Sequence, residues 1–219
     1  MELIASVTER TTAATDLVLA LAACAAAIAL GRATPPSVAR RVWQGALFCA
    51  AAGAALGALA HGLVLTEAAR ELLWQPLYLL LGATVALFVV GAVASWRGGP
   101  AARRMLIPML GVAVLFYLAT RLSGGEFLVF VVFQAAALLF ALGVYLRLRA
   151  GGMAGAGLVA AGLAVTLAAG AVQAAESVSL RLIWEFDHNG VYHLVQLAGL
   201  LLLVRGLVLV LRPAPVAGS

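Results

Sequence analysis

The chain contains no lysine; all fourteen of its basic residues are arginine. That absence excludes a retinal pigment, whose chromophore needs a lysine for its Schiff base. Cysteine is scarce. Cys24 and Cys49 are the only two, and both lie inside apolar runs, so neither a disulfide framework nor a thiolate metal site is indicated. They read as buried structural thiols. Charge is thin as well, at 11% of 219 residues against 64% hydrophobic. A water-soluble domain of this length does not have that balance.

What the chain does have is long apolar runs. They cover roughly 13–31, 42–65, 73–96, 104–120, 127–146, 153–175 and 190–211, and each approaches the ~20 residues that cross a bilayer as a helix. The pattern predicts an all-α polytopic membrane protein, one domain of seven transmembrane helices. Short loops predict that sequential helices are antiparallel neighbours. The net charge of +5 does not indicate nucleic-acid binding, because the arginines sit in those loops. Leu21-Ala22-Ala23-Cys24 looks like a lipoprotein cleavage site. Glu2, Glu9 and Asp16 against Arg10 alone do not make the positive start of a signal peptide, and the segment is expected to be a retained first helix.

Arginine placement orients the bundle. Arg32, Arg40, Arg41, Arg97, Arg103, Arg104, Arg147, Arg149 and Arg212 fall at one end, and only Arg10, Arg70, Arg121 and Arg181 at the other. The positive-inside rule makes the first end cytoplasmic, so the N-terminus is expected outside and the C-terminus inside. Arg205 can snorkel toward the cytoplasm. All nine acidic residues fall on or near the outer side. Trp43, Trp74, Trp96 and Trp184 are expected in aromatic belts at the two interfaces. A multi-pass protein of the cell membrane is expected, with a bacterial inner membrane as its location.

Ionisable groups at membrane depth are functional-site candidates. Two of the three histidines, His188 and His193, lie in Asp187-His188-Asn189-Gly190-Val191-Tyr192-His193, which opens the last segment. The third, His61, shares a helix stripe with Gly53 and Gly57, small residues that admit a close neighbour. His61 and His193 each fall about four residues from the outer boundary, on the order of 6 Å deep, and Asp16 is expected at a similar depth. His61, His193 and either His188 or Asn189 are thus candidate ligands of an open zinc site with water in the fourth position. Asp16, Asp187, Glu71 or Glu9 would orient a histidine or carry a proton. Asp187 or Asn189 is the natural N-cap of the last helix. Plainer roles exist: a backbone carbonyl alone can match His61, and Asp16 with Thr15 can cap helix 1. Glu67, Glu71, Glu126 and Glu176 read as solvated loop charges. The glycines of helix 6 (Gly151, Gly155, Gly157, Gly162, Gly170) read as packing, and Pro76 and Pro108 sit near helix starts, where proline is tolerated.

Seven helices, His61 in helix 2 and a histidine-bearing start to helix 7 resemble the alkaline-ceramidase-like (CREST) superfamily of membrane hydrolases. That superfamily also includes the progestin/adiponectin-type receptors and haemolysin III-like proteins. The resemblance implies an intramembrane zinc site, with His61 and His193 at the positions of family ligands. The chain departs from the family pattern at Gly57, where a serine is usual, at Asn189, where the first helix 7 histidine is usual, and at the head of helix 3, where Glu71 is the nearest acid. Phe186 to Gln196, together with Thr15-Asp16, also resembles an uncharacterised bacterial membrane family.

Three functions stand as expectations. The first is a zinc-dependent intramembrane hydrolase of a lipid amide or ester, with its site at the outer face. The second is a haem-binding redox protein with His61 and His193 as axial ligands. The third is a non-enzymatic lipid receptor or sensor of the same fold, which the missing serine favours.

Overall fold

The structure, a computed structural model, describes residues 2–175 and 177–212. Glu176, expected as a loop charge, lies outside them. Among the described residues seven helices carry the fold: α1 (Val7–Ala33), α2 (Val38–Gly62), α3 (Glu67–Arg97), α4 (Gly99–Leu122), α5 (Phe127–Ala150), α6 (Ala156–Ala174) and α7 (His188–Leu211). All seven are long and apolar enough to cross a membrane.

Most helices overrun the apolar segments because polar caps lie outside them. Ser6, Ser37, Thr66 and Asp187 each accept a hydrogen bond from the backbone N–H three residues on, which satisfies a donor that a bare helix start leaves unpaired. The start of α1 at Val7 corrects one plain reading: Asp16 lies well inside the helix and caps nothing. Pro76 and Pro108 likewise fall inside α3 and α4 rather than near their starts. In contrast, α2 stops short, at Gly62. There residues 2–4 pair with residues 62–64, through Ile4 N–H to the Gly62 carbonyl (3.0 Å) and Val64 N–H to the Glu2 carbonyl (2.9 Å).

Consecutive helices pack together from α1 to α4 and from α5 to α7, and α1 closes against α7. The expectation of sequential neighbours fails at α4–α5, which touch little. Instead α5 packs against α3 and leaves α4 outside the ring. The few residues that α4 buries, Ala102, Ala113, Phe116 and Thr120, explain this. Most of its surface is apolar and suited to lipid, so it needs contact along one side only.

The α6–α7 crossing bears out the packing role of two of the helix 6 glycines. A Cβ on Gly162 would stand 2.7 Å from the Leu203 backbone nitrogen, and one on Gly155 2.5 Å from the Gly206 carbonyl. The backbones touch, as small residues allow inside a membrane bundle. Trp43 is not in an interfacial belt. It is 0% exposed, lies against Gly91 and meets Phe88 edge-on at 5.0 Å between ring centroids. Trp96 lies at the arginine-rich end with the Arg97 guanidinium 4.1 Å over its ring, as an interfacial residue would. Between α6 and α7 a two-stranded hairpin, β1 (Leu180–Arg181) with β2 (Glu185–Phe186), interrupts the all-helical pattern. Its tip exposes Leu182, Ile183 and Trp184.

Candidate functional site

Six helices, all but α4, line one cavity of about 690 Å³. All but α6 contribute residues three or four apart, the spacing of one helix face, and α6 contributes Thr166, Gln173 and Ala174. Leu47, Ala50, Gly53, Gly57 and His61 come from α2, and Asn189, Tyr192, His193, Gln196, Leu200 and Leu203 from α7. The deep wall is apolar. The polar groups gather at the end of the bundle that carries the start of α1.

There α1 presents a polar stripe of Glu9, Thr12, Thr15 and Asp16. Glu9 Oε2 accepts from His61 Nδ1 at 2.8 Å. Thr15 meets His193 Nδ1 at 3.0 Å, and Asp16 Oδ1 lies 3.2 Å from His193 Nε2. Thr12 donates to Asp187 Oδ1 at 3.0 Å, the same oxygen that caps α7 through Gly190 N–H at 2.9 Å. Helix α1 thus grips the last turn of α2 and the first turns of α7 through side chains alone.

The donor direction of the Thr15 hydroxyl within its own helix assigns the His193 tautomer. The Thr15 hydroxyl has one hydrogen, and it goes to the Thr12 carbonyl at 2.9 Å. Thr15 Oγ1 is therefore the acceptor and His193 Nδ1–H the donor. In a neutral imidazole Nε2 then offers only a lone pair, and it faces the Asp16 carboxylate. Two acceptors at that distance need a positive partner between them, and a proton shared by Asp16 and His193 is the simplest. His61 has the same arrangement: Nδ1–H is held by Glu9, and Nε2 has no protein partner among the described residues.

Gly57 lies against the Asp16 carboxylate. A Cβ there would stand 2.7 Å from Asp16 Oδ2 and 3.0 Å from Oδ1. The carboxylate occupies the space that a side chain on Gly57 would need. Asp16 is 5% exposed, so this contact sets where its charge lies.

The other expected residues divide. Asp187 is the cap of α7, and His188 is that helix's first residue. Both His188 and Asn189 line the cavity, but Asn189 Oδ1 is taken by Gln173 Nε2. Glu71 pairs with Arg121 at 3.1 Å on the exposed surface, away from the cavity. Gly57 is beside Asp16, and His61 is one turn further, about 6 Å along α2. Among the described residues no three His, Cys, Asp or Glu side chains are grouped closely enough to hold a metal ion as they stand. Thr12, together with Gln134, Gln173 and Gln196, did not stand out in the sequence. Thr12 carries a signal in its spacing of three or four residues from Glu9 and Asp16 on α1, and Gln196 in its spacing from Tyr192 and His193 on α7; Gln134 on α5 and Gln173 on α6 have no such signal.

These features define a polytopic helical bundle with paired carboxylate–imidazole groups at the mouth of an internal cavity. The chain belongs to DUF6962, a family of unknown function, which matches residues 11–211. That span includes every site residue except Glu9. No curated protein and no solved structure matches the chain.

Proposed function

We propose that this chain is an intramembrane hydrolase of a lipid amide or ester, working at the extracytoplasmic mouth of the bundle. The observation that supports it is the presence of two imidazoles at the mouth of a lipid-sized cavity, each held at Nδ1, with His61 Nε2 open and His193 Nε2 against Asp16. Leu47 lies fourteen residues from His61 along α2, about 21 Å. That is deep enough for one acyl chain of a leaflet, half of a hydrocarbon core of ~30 Å.

In this reading His61 is the general base. Its Nε2 takes a proton from the water that attacks the substrate carbonyl carbon, and Glu9 holds the ring and steadies the imidazolium that forms. The Asp16–His193 pair is the acid. Its shared proton goes to the leaving amine or alkoxide as the carbonyl–heteroatom bond breaks, giving a fatty acid and an amine or alcohol. Thr15 fixes the His193 tautomer, and Asp187 with Thr12 positions the start of α7. Glu71 takes no part.

His61 and His193 are ligand types that zinc accepts, with Glu9 and Thr15 as backing partners. Among the described residues no third His, Cys, Asp or Glu stands close enough to complete a site with them as they stand, so no step above is routed through a metal.

The test is elemental analysis of detergent-purified protein beside turnover of a fluorogenic lipid ester and amide, for the wild type, His61→Ala and His193→Ala. The reading requires turnover that both variants lose. It fails if metal content and activity are the same in all three. Lipid binding without turnover would move the protein to the receptor class, which the glycine at position 57 favours.

A further inference from the structure

Beside the histidines and one turn below them the cavity carries a second polar set that the hydrolytic steps leave unused. Gln196 lies one turn beyond Tyr192 on α7, Gln173 and Thr166 come from α6, and Gln134 from α5; all line the cavity. Gln134 is 8% exposed. Gln173 gives its Nε2 to Asn189, and its Oε1 is buried with no hydrogen-bond partner among the described residues; Gln196 Oε1 is in the same state. A buried amide oxygen without a partner is costly, most of all in a bundle whose surroundings are lipid. For Gln173 the bond from Nε2 to Asn189 Oδ1 fixes the amide so that the orphan is an acceptor.

The charge of the lining narrows what can meet it. Among the described residues no arginine borders the cavity, whereas Asp16 and Glu126 do. A phosphate would bring negative charge and acceptors only. A hydroxyl or an amide N–H brings a donor to an amide oxygen and can accept in return. The cavity volume, within the ~300–1,000 Å³ of single-ligand sites, suits one chain rather than two.

We propose that Gln134, Gln173, Asn189 and Gln196 bind the uncharged, hydroxyl- or amide-bearing head of a single-chain lipid, and that phosphate head groups are turned away. This names the substrate class of the site above and rests on the hydrolase reading only for the chemical step after binding.

The test uses probes that cannot be cleaved, so binding is read apart from turnover. Radiolabelled monoalkylglycerol ether and the monoalkyl glycerophosphate of the same chain are titrated against the full chain in nanodiscs, with hydrolysis of the matching monoacylglycerol ester measured separately. The neutral ether is expected to bind at least ten times more tightly, about 1.4 kcal/mol. Gln196→Leu and Gln173→Leu are each expected to weaken the ether by a similar factor. Their thermal midpoints are measured alongside, and Gln196→Glu, which keeps the shape, serves if a leucine variant does not fold. Equal or tighter binding of the phosphate, no binding of either probe, or folded variants that bind the ether as the wild type does would each overturn the proposal. Selective ether binding with no ester hydrolysis would keep it and remove the hydrolase reading. Ester hydrolysis with no head-group preference would do the reverse.

Discussion

Replacing Gly57 with alanine separates the position of Asp16 from the stability of the bundle. The new Cβ would stand 2.7 Å from Asp16 Oδ2, and ordinary contact begins near 3.4 Å, so the carboxylate must yield by roughly 0.7 Å. The carboxylate is the tip of a side chain and can swing. The cost to folding therefore falls at the low end of the ~1–3 kcal/mol typical of overpacking, and alanine returns up to ~1 kcal/mol in helix propensity. The cost to chemistry is larger. Asp16 Oδ1 sits 3.2 Å from His193 Nε2, and a misplacement of ~1 Å at a catalytic group can lower the rate by ~10²-fold. Turnover is expected to fall on the order of 10- to 100-fold. Gly162→Ala is the contrast. Its Cβ would meet backbone, the Leu203 nitrogen at 2.7 Å and the Gly199 carbonyl at 2.8 Å. Backbone cannot swing, so α6 and α7 must part, and a gap of ~0.5–1 Å forfeits a quarter to a half of the local dispersion attraction. The assay is lipid-ester turnover beside thermal unfolding in one detergent. The reasoning is refuted if Gly57→Ala keeps wild-type turnover, or if it melts as low as Gly162→Ala.

Other expectations are as direct. Glu9→Gln keeps the shape but loses the charge that orients His61, and turnover should fall ~10- to 100-fold; an unchanged rate removes Glu9 from the site. Thr15→Val removes the acceptor for His193 Nδ1–H, so nitrogen NMR of histidine-labelled protein should show the His193 tautomer shifting while His61 stays as it was. Trp43→Ala should cost ~3–5 kcal/mol of stability without changing the rate of the folded fraction, because Trp43 packs against Phe88 and Gly91 far from the mouth; a smaller loss would mean that the ring is not packed as described. Gly143→Ala places a methyl where nothing lies within 4 Å and should leave the melting point unchanged or slightly raised.

The run of apolar segments determined that this is an all-α chain with seven helices suited to a membrane, because burying backbone polar groups in lipid leaves few other choices. The scarcity of ionisable groups within those segments pointed to His61, His193 and Asp16, since each is costly there. Spacing along single helices also put Gly57 on the stripe of His61. What sequence could not supply was which groups meet across helices. The hydropathy of α1 marked where lipid would begin, not where the helix begins, so a cap stood open for Asp16 beside its role in the site, and Glu9 was one carboxylate among several. Only the packing of α1 against α2 and α7 gave Glu9 to His61 and Asp16 to His193, and only that packing showed Gly57 making room for a carboxylate. Trp43 read as an interfacial residue, and Glu71 as either a site residue or a solvated charge, for the same reason: position along a helix says how deep a side chain lies, while its facing and its partner depend on which helix lies opposite. The order of helices around the cavity, with α5 on α3 and α4 outside, was decided by contacts between residues far apart in the chain, and no local pattern records those.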